Sequence, residues 1–313
     1  MYDMYSQQPI AVRIVLLCNS LPSLSVCRKT PLTGGNMPNS RWPIAANISL
    51  LFHEVPLMQR PAAAAREGFS AVEMWWPFAS AEPASSEIGE LVAAVEAASI
   101  PLVALNFAAG DMAAGDRGLL NNPAKTAQLR TSVEIAVLIG ERTGCRLFNA
   151  LYGNRLDDVS SAQQHEQAAS NLAYAARAAG KIGGTILVES LNMAENPRYL
   201  LPRPADAAQV VLTAHACGQP NVALLADVYH WAAGGDDPAT ALGVYAPLIA
   251  HLQVADYPGR HEPGSGGVNF EAIYAELQRH GYRGVVAAEY RPAARTEDGL
   301  GWIRCPTLDG VTP

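Results

Sequence analysis

The sequence predicts an α/β fold, a single-domain (β/α)8 TIM barrel, on three observations. Short apolar runs alternate with helix-like segments through most of the chain. Eight such units fit into about 260 residues, the usual span of an eightfold barrel. No GxGxxG follows the first apolar run, which weighs against a doubly wound open sheet.

Taken in order, AANISL (45–50) reads as the first strand, followed by a helix over 56–68 that stops at Gly68. FSAVEMWW (69–76) is a second strand, and 86–100 an amphipathic helix with its apolar residues three and four apart. PLVALNF (101–107) is a third strand. After the loop AAGDMAAGDRG, a helix over 123–144 ends near Gly144. CRLFNALYG (145–153) is a fourth strand, and an Ala-rich helix over 160–182 is closed by Gly183-Gly184. Four further strands, TILVESL, ALLADVYH, IAHLQVAD and VVAAEYRP, are separated by helices near 204–218, 238–247 and 269–281. These helices end at Gly218 and Pro220, Pro247 and Gly281. A last helix over 296–304 carries Trp302.

The chain is 313 residues long, 49% hydrophobic and 16% charged, a composition that can fill a large core. Its net charge of −7 and lack of a Lys/Arg run argue against a nucleic-acid partner. The five cysteines are scattered with no CxxC pair, a pattern suited to a reducing cytoplasm, where the protein is expected. No stretch reaches the roughly 20 apolar residues of a membrane span. Residues 1–40 differ in character from the rest. The run IVLLCNSLPSLSV is broken by Asn19 and Pro22, which argues against a signal peptide. The expectation is a leader over 1–40, disordered or read from an upstream start with the natural start at Met37. A catalytic barrel over 41–305 and a tail over 306–313 follow.

The four later strands share one feature. Each ends in an oxygen-bearing polar residue: Glu189, Asp227, Gln253 and Glu289, about 26 to 38 residues apart. In a closed barrel the C-terminal ends of neighbouring strands converge on one face, where barrel enzymes place their chemistry. Three carboxylates and an amide oxygen form a hard ligand set suited to Mg²⁺ or Mn²⁺.

The strings NISLLFHE (47–54), GDMAAGDRG (110–118), DVYH (227–230), HLQVADYPGRHEPGSGGVNF (251–270) and AAEYRP (287–292) resemble the hydroxypyruvate isomerase family. That family belongs to the xylose-isomerase-like TIM barrels, with ketose 3-epimerases as cousins. The resemblance runs from about Ala45 to Trp302. It implies one divalent metal held after strands five to eight, which falls on Glu189, Asp227, Gln253 and Glu289. Some positions depart from the family pattern: Leu105 precedes Asn106 where His is frequent, Glu189 is followed by Ser190 without a nearby His, and Met112 replaces a Trp. These positions face the substrate, and their reduced polarity favours a small one.

The implied reaction interconverts hydroxypyruvate and 2-hydroxy-3-oxopropanoate by proton transfer through a metal-stabilised enediolate. Isomerisation of a 2-oxo-tetronate, or 3-epimerisation of a ketose, is the alternative. Glu189 and Glu289 are the expected acid–base pair. His230, in the loop leaving strand six, and Arg260, on a Gly/Pro-rich loop and shaped to hold a carboxylate, are assigned to substrate. Asn106 and Glu73, at the ends of strands three and two, complete the substrate set. Trp75 and Trp76 form a water-excluding wall or pack on the next helix. His251 shares the inward face of Gln253 one layer deeper. The GDMAAGDRG loop, lacking Lys-Ser/Thr, is a lid or subunit contact rather than a phosphate cradle. A DNA-repair endonuclease would need several zinc ions and a His-rich ligand set, which seven mostly misplaced His residues do not supply. A non-catalytic metal-binding barrel is the remaining alternative, and the intact four-ligand ring argues against it. The expected partner is a small keto acid or sugar, with no membrane, and homo-oligomerisation is left open.

Overall fold

The computed structural model describes residues 42–304, so the expected leader and tail lie outside the described residues. Eight parallel strands close into one barrel in sequence order. They are β1 (Ile44–Asn47), β2 (Ala71–Met74), β3 (Leu102–Asn106), β4 (Leu147–Asn149), β5 (Thr185–Glu189), β6 (Val222–Asp227), β7 (Ile249–Val254) and β8 (Val286–Ala288). Closure is made by β1 against β8, with Ala45 opposite Ala287. Their near-continuous apolar sequences suit strands buried on both faces, inside the barrel and beneath the helices.

The helices are α1 (Arg60–Arg66), α2 (Ser85–Ala98), α3 (Thr126–Thr143), α4 (Ser161–Gly180), α5 (Pro204–Ala216), α6 (Val228–Ala233), α7 (Pro238–Tyr245) and α8 (Phe270–Arg279). Local chemistry sets their limits. Ser160 and Gln163 form a reciprocal capping box at the start of α4. The side chains of Asp237 and Asn269 cap α7 and α8. Gly144, at φ +83°, ends α3 in the left-handed conformation that glycine adopts without strain.

Three details differ from the sequence expectation. The first strand stops at Asn47, because Leu50 and Leu51 turn back to donate to its carbonyl. The closing segment Thr296–Arg304 winds as a 3₁₀ helix. A short helix, α6, follows β6 directly. Asp227 creates it by accepting the backbone N–H groups of Tyr229 and His230 on one carboxylate oxygen. Among the described residues no helix is long and apolar enough to cross a membrane.

The loop after β3 is braced against the loop after β4 by Gly118, bridged to Tyr152. A Cβ on Gly118 would lie 2.1 Å from the Leu151 carbonyl oxygen, and its φ is +109°. Gly115 has a similar φ of +103° but open space around it. Gly118→Ala should therefore destabilise the fold by at least about 2 kcal/mol, clash added to backbone strain, and Gly115→Ala by about 1 kcal/mol. Urea unfolding of the two variants checks the difference.

Candidate active site

Reading the barrel at its C-terminal end, every strand delivers a polar side chain within one residue of its last position. These are Asn47, Glu73, Asn106, Asn149, Glu189, Asp227, Gln253 and Glu289. All eight are buried. Cross-strand register pairs Asn47 with Glu73, Asn106 with Asn149, and Asp227 with Gln253. Above the ring opens a cavity of about 390 Å³, within the range of small-ligand pockets. Asn106, Glu189, His230, Arg260 and Glu289 line it, with Trp75 on one wall.

Each carboxylate is held by its own set of donors. Asn149 donates its amide to Glu189 Oε2 at 2.7 Å. Glu289 Oε1 accepts the Trp75 indole N–H at 2.6 Å and the Asn47 amide at 3.2 Å. Asp227 gives Oδ1 to the start of α6 and turns Oδ2 towards Arg260, 3.2 Å away. Glu289 Oε2 is buried and accepts no hydrogen bond, although the same Arg260 nitrogen stands 3.3 Å off. Asp227 is thus engaged through both oxygens, whereas Glu189 accepts through Oε2 and Glu289 through Oε1, with Glu289 Oε2 meeting only the Arg260 ion pair.

Gln253 is held by one end of its amide. Its amide nitrogen donates to Glu73 Oε1 at 2.7 Å, which fixes the amide's orientation and leaves Oε1 buried without a partner. Glu73 also receives Asn47 and His251 Nε2. The structure thus takes Glu73 away from the substrate role expected of it. It does not line the cavity but sits below, tying β1, β2 and β7 together. His251 is fully buried in that lower layer.

Arg260 also departs from expectation. Its guanidinium is buried, lies between Asp227 and Glu289, and rests 4.9 Å from the Tyr229 ring centroid. It neutralises the ring from within instead of standing free for a substrate carboxylate. His230 lies on α6 rather than in a loop. Its Nδ1 accepts the Asn192 backbone N–H at 3.2 Å, with the Asn192 amide nitrogen 2.8 Å away. That bond places the ring hydrogen of a neutral imidazole on Nε2, making Nε2 a donor. Burial, then Arg260 and Arg117, hold the His230 pKa well below its ordinary value, so the ring is neutral.

Burial, then Asp227, push the Glu189 pKa up to about 8, against the pull of Asn149 and Arg260. Burial likewise raises Glu289 well above the usual carboxylate range, with Asp227 and Glu189 adding to it against Arg260. Asp227 is raised by burial despite Arg260 and its N–H donors. Burial opposes the Arg260 charge, but Glu289, Asp227 and Glu189 outweigh it and keep the guanidinium charged. Three desolvated acids thus face one internal cation, and positive charge would be in deficit were all three ionised. Glu189, Asp227 and His230 offer atoms within 4.8 Å of one another, a carboxylate/His group able to hold a metal ion. The tautomer of His230 points instead to Gln253 Oε1, beside Asp227, and to the unpartnered Glu289 Oε2 as the remaining oxygens. The donor set fits a hard divalent cation.

Sequence reasoning missed Asn47 and Asn149, although both end apolar runs as Glu189 does. It also missed Arg117, Glu195, Asn196 and Arg291 on the cavity wall, which carry no strand-end signal.

A family model described as xylose isomerase-like TIM barrel matches residues 61–305. A Streptomyces coelicolor protein, named provisionally for hydroxypyruvate isomerase, is 43% identical over 79% of this chain and 89% of its own length. The 2-oxo-tetronate isomerase of Cupriavidus necator is 34% identical, over 83% of this chain and 96% of its own. The hydroxypyruvate isomerase of Escherichia coli K12 is 31% identical, over 83% and 97%. Among solved structures, one titled AP endonuclease, family 2, from Brucella melitensis is similar with TM-score 0.75 and 31% identity. It covers 83% of this chain and 97% of its own.

The raised Glu189 pKa has a consequence for stability. Between the ordinary value of 4.5 and about 8 the folded protein holds a proton that the unfolded chain releases. Stability from this group is full below about pH 4.5 and is lost as pH rises through 8. Chelator-treated protein should therefore melt lower at pH 8 than at pH 6, and Glu189→Gln should flatten that slope. Calorimetric scans of both proteins across the interval check it.

Proposed function

The chain belongs to the xylose isomerase-like TIM barrel family and is an isomerase, and on that premise we propose that it interconverts hydroxypyruvate and 2-hydroxy-3-oxopropanoate with the help of one divalent cation, Mg²⁺ or Mn²⁺. The observation that carries this reading is the pair of buried carboxylates, Glu189 and Glu289, each pinned by one oxygen and each with its pKa raised. A buried carboxylate whose protonated form is favoured can deliver a proton, and one that is ionised can take it.

Glu189, Asp227, Gln253 and Glu289 are the residues that would hold the cation. When bound, it supplies the positive charge that acidifies the carbon next to a carbonyl and holds a developing enediolate. The remaining work falls to the chain. In its ionised form one glutamate takes a proton from the hydroxyl-bearing C3 of hydroxypyruvate. The other, protonated, delivers one to C2 on the same enediol. A hydroxyl proton meanwhile passes from the C3 oxygen to the C2 oxygen, so the proton count is conserved. His230 Nε2–H, fixed as a donor by Asn192, can hold one of those oxygens. Trp75 keeps Glu289 aimed and covers one side of the cavity, which limits water at the reacting carbons.

The relatives' names leave a 2-oxo-tetronate as the second substrate of this class. A multi-zinc DNA-repair role finds little support, since the chain carries net charge −7 and the described residues hold a single His-containing metal group.

Two outcomes are expected. Glu189→Gln and Glu289→Gln should each lower turnover of hydroxypyruvate by about 10² or more, with cation content measured in each variant. Near-normal turnover in both, with the cation retained, would move the acid–base role elsewhere. Reaction in deuterated water should place label on carbon in the product. Its complete absence at several pH values would point to a hydride shift.

A further inference from the structure

Three arginines, Arg117, Arg260 and Arg291, line the cavity, and they differ in what they already hold. Arg117 donates to Asn196 Oδ1 at 2.7 Å and to the carbonyls of Met112 and Asp116, tying the loop after β3 to the loop after β5. Arg260 is spent on Asp227, Glu289 and the Tyr229 ring. The guanidinium of Arg291 makes no hydrogen bond or ion pair with the described residues. Its backbone, by contrast, is anchored on both sides. Its N–H donates to the Arg260 carbonyl at 2.7 Å, and its carbonyl faces His261 Nδ1 at 2.8 Å.

A flexible cation beside an acidic ring would normally fold onto it. Here Arg260 occupies the inner position between Asp227 and Glu289, and Arg291 stays at the mouth of the cavity, two residues beyond Glu289. A fixed backbone with a free planar fork at a cavity mouth suits recognition of a carboxylate, which two parallel N–H bonds can grip. A neutral sugar has no group that needs it.

We propose that Arg291 is the residue that recognises the carboxylate of the substrate, and that it sets the specificity of the site for small 2-oxo acids over neutral ketoses. The proposal deepens the isomerase reading above and rests on it for the reaction, though not for the binding.

The test uses two unreactive ligands of one skeleton, D-glycerate and glycerol, in which a carboxylate replaces a CH₂OH group. Calorimetric titration of the Mg²⁺-loaded protein should show glycerate binding at least about tenfold more tightly than glycerol. Arg291→Gln should remove most of that preference by weakening glycerate about tenfold while leaving glycerol and the melting temperature unchanged. Arg291→Lys should keep part of it, since charge remains but the fork is lost. In turnover, Arg291→Gln should raise KM for hydroxypyruvate more than it lowers kcat. Equal glycerate affinity in wild type and Arg291→Gln overturns the proposal, as does failure of glycerate to bind the wild type. Selective glycerate binding through Arg291 without hydroxypyruvate turnover leaves the recognition role standing and sinks the reaction. Turnover with KM unchanged in Arg291→Gln does the reverse.

Discussion

Three carboxylates share one desolvated end of the barrel with a single internal guanidinium, and most features of the site follow from that imbalance. Glu189, Asp227 and Glu289 are each almost wholly out of water, and burial pushes each towards its protonated form. Left alone, such a cluster would cost the fold several kcal/mol per buried charge. Arg260 meets part of that cost by standing between Asp227 and Glu289. Its backbone sits at φ +56°, a conformation that only a well-determined loop holds for a residue other than glycine. Asp256 builds that loop by accepting the backbone N–H groups of Tyr257, Gly264 and Val268. The charge still missing is what a divalent cation would bring.

Beneath the acids lies a layer of amides and one further carboxylate whose task is aim. Asn149 gives an N–H to Glu189 and Asn47 gives one to Glu289, which receives another from Trp75. Glu73 collects Asn47, Gln253 and His251, so that the Gln253 oxygen is left for use above. Donors to an ionised carboxylate lower its pKa while burial raises it, and here burial prevails at both glutamates. The closed barrel makes this possible, because eight parallel strands present their last residues to one enclosed space.

The fold was legible because the strands are short, apolar and evenly spaced, and because each helix is punctuated by glycine, proline or a polar cap. The acidic ring was legible for the same reason: Glu189, Asp227 and Glu289 interrupt apolar runs where no solvent is expected. The same rule covers Asn47 and Asn149. Asn47 was hidden because ISL continues the apolar pattern past the true strand end, and an asparagine attracts less notice than a carboxylate. The helix α6 is under two turns long, too short for periodicity to register. Contacts across long separations could not be read at all. Asn192 fixes the His230 tautomer from 38 residues away, and Arg260 reaches Asp227 from 33. The free state of Arg291 depends on where those other arginines went.

The most direct test of the charge-deficient ring is Mn²⁺ titration by calorimetry at pH 7 in two buffers of different ionisation enthalpy. Carboxylates that hold protons in the ion-free protein must release them to ligate a cation. Stoichiometric binding with release of one or more protons per Mn²⁺, reduced in Glu189→Gln, is the predicted result. Stoichiometric binding with no proton release, or no binding by protein with the ring intact, would contradict it.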